Sequence, residues 1–213
     1  MIELEIISDF ACPWCFIGKR RLEKALAERP DLDITITWLP FQLNPDMPRE
    51  GRNRNEYYID KFGHEGVVNF RKTLNTAAQG EGIFLGYAPD AIAPNTLSAH
   101  TLMYWATEER SVDTGALAER LFEAHLVACE NIGNHDVLVR IAGESGMDQN
   151  KIRLNLATSE DEAVVRQQIN QAAAMGVGGV PFFIFNRQYG ISGAQPAETL
   201  LAAFDQVLKG PVN

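Results

Sequence analysis

Positive charge is scarce in this chain. Lys and Arg number 19 against 28 Asp and Glu, a formal net charge of −9. That balance argues against nucleic acid as a partner, because phosphate recognition needs a basic stripe. No apolar run approaches the ~20 residues of a membrane-crossing helix, so no membrane partner is expected. Nothing ahead of Ile2 looks like a secretory leader, with its basic start and apolar stretch, which makes the cytoplasm the expected compartment. Cysteine is also rare, with three in 213 residues. A structural zinc site needs four ligands. Cys129 is the one cysteine apart from Cys12 and Cys15, and no pair among His64, His100, His125 and His135 completes a familiar spacing, so no metal is expected. Internal repeats and low-complexity tracts are absent. The length suffices for one core with room for a large insertion.

What the chain does have is Phe10-Ala11-Cys12-Pro13-Trp14-Cys15-Phe16. Before it, Ile2-Glu3-Leu4-Glu5-Ile6-Ile7 alternates and is β-branched, as a short strand would be. After it, Ile17, Leu22, Ala25 and Leu26 fall at helical spacing among charges up to Glu28. Both sulfurs therefore sit on the first turn of a helix, three residues apart and on one face. Unpaired backbone N–H groups and the positive end of the helix dipole there favour a thiolate. Pro13 suits that turn because its missing N–H is not needed. An accidental pair of buried cysteines is the bland alternative. The strand–C-x-x-C–helix setting favours thiol–disulfide chemistry.

A second apolar block begins at Met175-Gly176-Val177-Gly178-Gly179-Val180-Pro181-Phe182-Phe183-Ile184-Phe185, where a helix ends at Gly176 and a strand opens after a proline. Tyr189 to Ser192 reads as its hairpin partner, and Ala197 to Leu208 as a last amphipathic helix. Near the front of the chain, Ile34 to Leu39 reads as another strand, ending at Pro40. The stretch between reads almost wholly as helix by spacing and caps. Asn95 is expected to cap Thr96–Glu109, Thr114 to cap Gly115–Ala128, and Asn134 or His135 to precede Asp136–Glu144. Ser159-Glu160-Asp161-Glu162 has the form of a capping box for a helix running to Met175. Pro45 to Asn55, rich in Pro, Asn, Arg and Gly, reads as the linker into this region.

Ser8-Asp9-Phe10-Ala11-Cys12-Pro13-Trp14-Cys15-Phe16-Ile17-Gly18-Lys19 resembles the active-site signature of DsbA-like thioredoxin-fold oxidoreductases, in particular the FrnE-type branch. The blocks 176–183 and 190–195, and more weakly Pro94-Asn95-Thr96 with Ala99-His100, resemble further family blocks in the family's order. The resemblance implies an α/β thioredoxin fold with a large all-helical insertion between its halves. Residues 1–44 and 176–213 would form the discontinuous thioredoxin-like domain, and 45–175 the insertion. It also implies a cis Val180–Pro181 bond facing the cysteines, leaving the preceding backbone free to pair with a substrate strand. The superfamily includes 2-hydroxychromene-2-carboxylate isomerases and kappa-class glutathione transferases, which typically carry serine where this chain has Cys12.

Cys12, ahead of the helix, is expected to be the exposed nucleophile of lowered pKa, and Cys15 the buried thiol that resolves the mixed disulfide. Trp14 adds no positive charge to hold a thiolate, which suits reduction or isomerisation better than oxidation. Asp9 is close enough to act as a charge or proton relay, or simply to cap the turn. Phe10, Trp14 and Phe182 would form an apolar docking surface with Val180 and Pro181. Asn95, Thr96 and His100 share a helix face that the resemblance sets over the site, although a lone helical histidine is commonly just hydrogen-bonded. Phe41 to Pro45 would line the same cleft. Lys19, Arg20 and Arg21 form either a solvated helix face or an attractor for anions such as glutathione carboxylates.

The leading reading is a cytoplasmic protein-disulfide reductase or isomerase cycling Cys12 and Cys15. Its partners would be disulfide-containing proteins or glutathione, with no tightly bound cofactor and glutathione as the co-substrate to consider. The alternative is a glutathione-dependent isomerase or transferase acting on a small aromatic substrate. A peptide-binding chaperone without turnover is a third reading. Cys129 is expected to be an ordinary free thiol, and a homodimer is the default assembly.

Overall fold

Every side chain of the first strand from Ile6 onward is buried, which only a central strand requires. The computed structural model, which describes residues 1–209, places it so. Strand β1 (Ile2–Ser8) lies between β2 (Ile34–Pro40) and β5 (Phe182–Phe185), and β6 (Tyr189–Ser192) completes the order β2-β1-β5-β6. The β1–β2 pair is parallel, with Ile2 opposite Ile34 and Ser8 opposite Pro40. The other two pairings are antiparallel, with Ile7 opposite Phe182 and Phe182 opposite Ser192. Ile2, Leu4 and Ile6 face the main core, while Ile7 faces a second cluster with Ile184, Val177 and Ala172. The alternation in β1 thus serves two covered faces.

Helix α1 (Pro13–Glu28) buries Cys15, Phe16, Ile17, Leu22 and Ala25. The last described helix, named α8 below, spans Ala197–Lys209 and buries Leu200, Ala203 and Phe204, with Phe204 edge-on to Phe185 at 5.4 Å. Gly18 lets α1 approach the sheet closely. A Cβ built there would lie 2.9 Å from Cγ of Pro181 and 3.4 Å from Cζ of Phe183. Gly18→Val should therefore cost about 1–3 kcal/mol of stability by overpacking. Urea denaturation reads this directly, and an unchanged midpoint would contradict the close approach.

Between β2 and β5 run α2 (Arg54–Gly80), α3 (Leu97–Glu108), α4 (Thr114–Phe122), α5 (His135–Glu144), α6 (Gln149–Thr158) and α7 (Glu162–Ala174). Helix α2 bends at Gly63, whose φ of 71° is outside the helical region. Helix α4 widens into a π-helical turn, Glu123–Val127, instead of continuing to Ala128. The linker reading of 45–55 missed a short ladder, β3 (Arg52–Asn53) against β4 (Ile92–Ala93). Asn53 then caps α2, accepting from the N–H groups of Asn55 and Glu56.

Three caps differ from expectation in different degrees. Asn134 caps α5 as expected. Asp113, not Thr114, caps α4, accepting from the Ala116 N–H at 3.0 Å. Asn95 still supplies the capping oxygen of α3, to the Leu97 N–H at 3.0 Å, although the helix begins one residue later than expected. The capping box at 159–162 does not form. Ser159 ends α6 in the left-handed region (φ 55°), and Asp161 is also left-handed (φ 59°) with no side-chain cap. The carboxylate of Glu162 is taken by a two-pronged contact from Arg49, at 2.9 and 2.6 Å, so it cannot reach back to the helix start.

Candidate active site

The cysteine pair sits where β1 hands over to α1. The Cys12 N–H donates to the Asp9 carbonyl at 2.9 Å, closing the turn, and Cys12 is the residue that precedes the helix. The Cys15 N–H returns to the Cys12 carbonyl at 3.0 Å. Both are free thiols. Val180 arrives from the far side of the chain, its carbonyl 3.7 Å from Cys12 Sγ, and the Val180–Pro181 peptide bond is cis, as expected. Cys12 is not exposed as expected but 4% accessible, and Cys15 is 2% accessible. The difference between them is direction, since Cys12 borders a cavity of about 250 Å³ and Cys15 does not. Burial pushes the Cys15 thiol well up, and the adjacent Cys12 adds to this, while Ser8 and the Asp9 backbone pull the other way. Cys15 is therefore a protonated thiol at neutral pH.

Asp9 is a fixed part of this junction. Its carboxylate accepts from the Leu43 N–H at 2.8 Å and the Ala11 N–H at 3.2 Å. His100 Nε2 lies 3.5 Å from it, at the edge of hydrogen-bonding reach. Burial alone would raise the Asp9 pKa, but His100 and the two backbone donors together hold it below the usual carboxylate range.

Of the expected substrate contacts, His100, Phe10, Asn95 and Pro181 do not border the cavity. His100 stands behind Asp9, its ring 4.9 Å from that of Phe10, and Phe10 in turn packs on Phe122 at 5.2 Å. Asn95 is occupied by the Met47 carbonyl, 2.6 Å away, besides capping α3. Pro181 rests its ring against α1 at Gly18 and accepts from the Gly193 N–H at 2.8 Å. Trp14 and Val180 do line the cavity. Lys19, Arg20 and Arg21 form neither a solvated face nor an anion attractor. Lys19 is buried between Glu23 and Glu119, Arg20 pairs with Glu119, and Arg21 with Glu81.

The opposite wall comes from a segment the sequence reading did not single out. Arg54, Tyr58, Lys61 and Phe62 face the cavity from α2. Their spacing of i, i+4, i+7 and i+8 makes one helix stripe, the signal that could have found them. Tyr57, Phe70, Met47 and His125 complete that side. Burial raises the Tyr58 phenol to about 12 against the opposing effect of Arg54, so it presents a neutral hydroxyl. Burial and the neighbouring Arg54 lower His125 to about 4, leaving its ring neutral at pH 7. Among the described residues, no group of three or more His, Cys, Asp or Glu is placed to hold a metal.

A dithiol leading a helix out of a central strand, met by the residue before a cis-proline, defines a thioredoxin-fold protein of the dithiol kind. More narrowly, the chain belongs to the DSBA-like thioredoxin domain family, whose model matches residues 3–205. It is similar to the crystal structure of a probable DsbA oxidoreductase, SCO1869 from Streptomyces coelicolor, with 30% identity and a TM-score of 0.89 over 100% of this chain and 92% of the other. Its fold is also that of a 2-hydroxychromene-2-carboxylate isomerase (17% identity, TM-score 0.74, 97% and 96% covered). It is likewise that of the cytosolic disulfide reductase DsbM from Pseudomonas aeruginosa, solved with GSH (17% identity, TM-score 0.66, 97% and 99% covered). No helix among the described residues is long and apolar enough to cross a membrane.

Proposed function

We propose that this protein is a thiol–disulfide oxidoreductase that reduces or isomerises disulfides, with Cys12 as nucleophile and Cys15 as resolving thiol. The observation that carries this reading is the asymmetry of the pair: Cys12 opens on the cavity and Cys15 is sealed behind it. The Cys12 thiolate attacks one sulfur of a substrate disulfide and releases the other as a thiolate, which takes up a proton. Cys15, having lost its proton, then attacks Cys12, forming the Cys12–Cys15 disulfide and releasing the second substrate thiol. Two electrons pass from protein to substrate, and an external thiol returns them.

In this reading Trp14 and Val180 touch the substrate, Pro181 positions Val180, and glutathione serves as reductant. The stretches on either side of 45–175 supply the dithiol half of the site as a thioredoxin-like domain, and the insertion supplies the other wall. DsbM, of the same fold, was solved with GSH, which supports glutathione as co-substrate. The neutral Trp14 between the cysteines supports a reducing direction. The cytoplasm is its compartment in this reading, supported by the cytosolic DsbM of the same fold. The aromatic cavity also supports a second reading, a glutathione-dependent isomerase or transferase acting on a small aromatic compound.

Insulin reduction by glutathione tests the first reading. Wild-type protein should accelerate it, and Cys12→Ser should return the rate to the uncatalysed background. A wild type without effect on insulin, but active in conjugating glutathione to an aromatic electrophile, would transfer the assignment to the second reading.

A further inference from the structure

Two cationic side chains of the described chain are buried, Lys19 at 4% and Arg54 at 6% exposure. They are treated very differently. Lys19 is clasped by two carboxylates, from Glu23 and Glu119. Arg54 has carbonyl oxygens, of Gly86 at 2.7 Å and His125 at 3.3 Å, and the sulfur of Cys129 at 3.2 Å. Among the described residues no Asp or Glu lies within 4.0 Å of its guanidinium. Burying a charge without a counter-charge is costly. Arg54 nevertheless sits in the wall of the cavity that Cys12 borders.

A second cation stands at the same cavity. Lys61, exposed and on the same stripe of α2, donates to the Tyr57 hydroxyl at 3.3 Å and has no carboxylate partner among the described residues. The acidic residue lining the cavity, Asp9, is already engaged by two backbone N–H groups and faces His100. On a chain of formal charge −9, this cavity therefore sets two cations, Arg54 and Lys61, against the single carboxylate of Asp9 beside a reactive sulfur. Trp14, Tyr58 and Phe70 supply apolar faces around it.

We propose that this cavity is a carboxylate-binding subsite, in which Arg54 seats and Lys61 attracts the carboxylate of an acidic, low-molecular-weight disulfide or thiol. The inference rests on the thiol–disulfide reading and names the substrate class of that same site. The bound carboxylate orients the substrate so that its disulfide meets Cys12. The exchange then proceeds as above, two electrons leaving the dithiol, two substrate thiols forming, and Cys12 joining Cys15.

The test uses pre-reduced full-length protein in single turnover, so no further reductant is needed. The probes are two aromatic disulfides, 5,5′-dithiobis(2-nitrobenzoate), with a carboxylate on each ring, and 4,4′-dithiodipyridine, which is neutral. Each rate is divided by that of a free monothiol with the same probe. Wild type should favour the carboxylate probe by about tenfold or more, the scale of one charge-assisted hydrogen bond. Raising the salt concentration should shrink that preference. Arg54→Gln should lower the carboxylate-to-neutral ratio about tenfold, and Lys61→Gln, on the exposed rim, about two- to threefold. Equal losses on both probes, or a salt-independent wild type without preference, would overturn the subsite. Should Arg54→Gln not fold, the Lys61→Gln ratio and the wild-type salt dependence decide alone. A dithiol that reacts with neither probe faster than the monothiol would instead strike at the thiol–disulfide reading itself.

Discussion

Cys15→Ala should convert the protein into a trap, with Cys12 held in a long-lived mixed disulfide with its substrate. The sealed position of Cys15 explains why. Once Cys12 is bonded to a substrate sulfur, Cys15 is the protein's thiol on the same helix turn able to displace it. Cys129 is held elsewhere, against the Arg54 guanidinium, and should not substitute. Multiple turnover should fall by roughly a hundredfold or more, while the first attack proceeds. Non-reducing gels and mass measurement of adducts recovered from cells identify what was captured. Protein adducts would support protein disulfides as substrates, and glutathione alone would support the small-molecule reading. Cys12→Ser with Cys15→Ala should capture nothing. Turnover by that double variant equal to wild type would refute dithiol chemistry at this site.

Asp9→Ala should destabilise the fold by about 3 kcal/mol, a large share of the stability of a single domain. The carboxylate joins the end of β1 to the segment after β2 through Leu43, and no water replaces it without cost in so buried a place. Asp9→Asn keeps the shape and one acceptor, and should lose about half as much. The pH dependence has a definite sign. The Asp9 pKa in the folded protein lies below its ordinary 3.8. Its contribution is therefore complete above 3.8 and lost as the pH falls through the lower folded value. Urea denaturation should show a constant gap between wild type and Asp9→Asn from pH 7 to 5, closing only in strong acid. A gap that closes near neutrality would show that the carboxylate is not held by these donors.

The legible parts of this protein were those specified locally. β1, α1, β2, β5, β6 and α8 lie where alternation, helical spacing and Pro13 put them, to within a residue or two. Cys12 and Cys15 were visible because a strand and a helix meet at them in the sequence itself. The far wall of the cavity was not visible as such. Arg54 and Tyr58 fall at the edge of a stretch read as linker, and which face of α2 turns to Cys12 is decided by the β3–β4 ladder and the bend at Gly63. The ladder depends on residues tens of positions away. The false capping box has the same cause, since Arg49 claims Glu162 across 113 positions. The burial of Cys12 depends on Val180, 168 residues away.

The placement of β1 between β2 and β5 has a consequence for the protein while it is being made. β2 follows β1 closely, but β5 leaves the ribosome about 140 residues later, roughly 7–30 s at ordinary rates of synthesis. Throughout that interval one edge of the nascent β1 is open, and the cysteine pair is already outside without the Val180 carbonyl that covers Cys12. An unguarded dithiol beside an unpaired strand edge is open to oxidation and to pairing with other chains. The cell must therefore keep this stretch reduced and apart until the last quarter of the chain arrives to cover it.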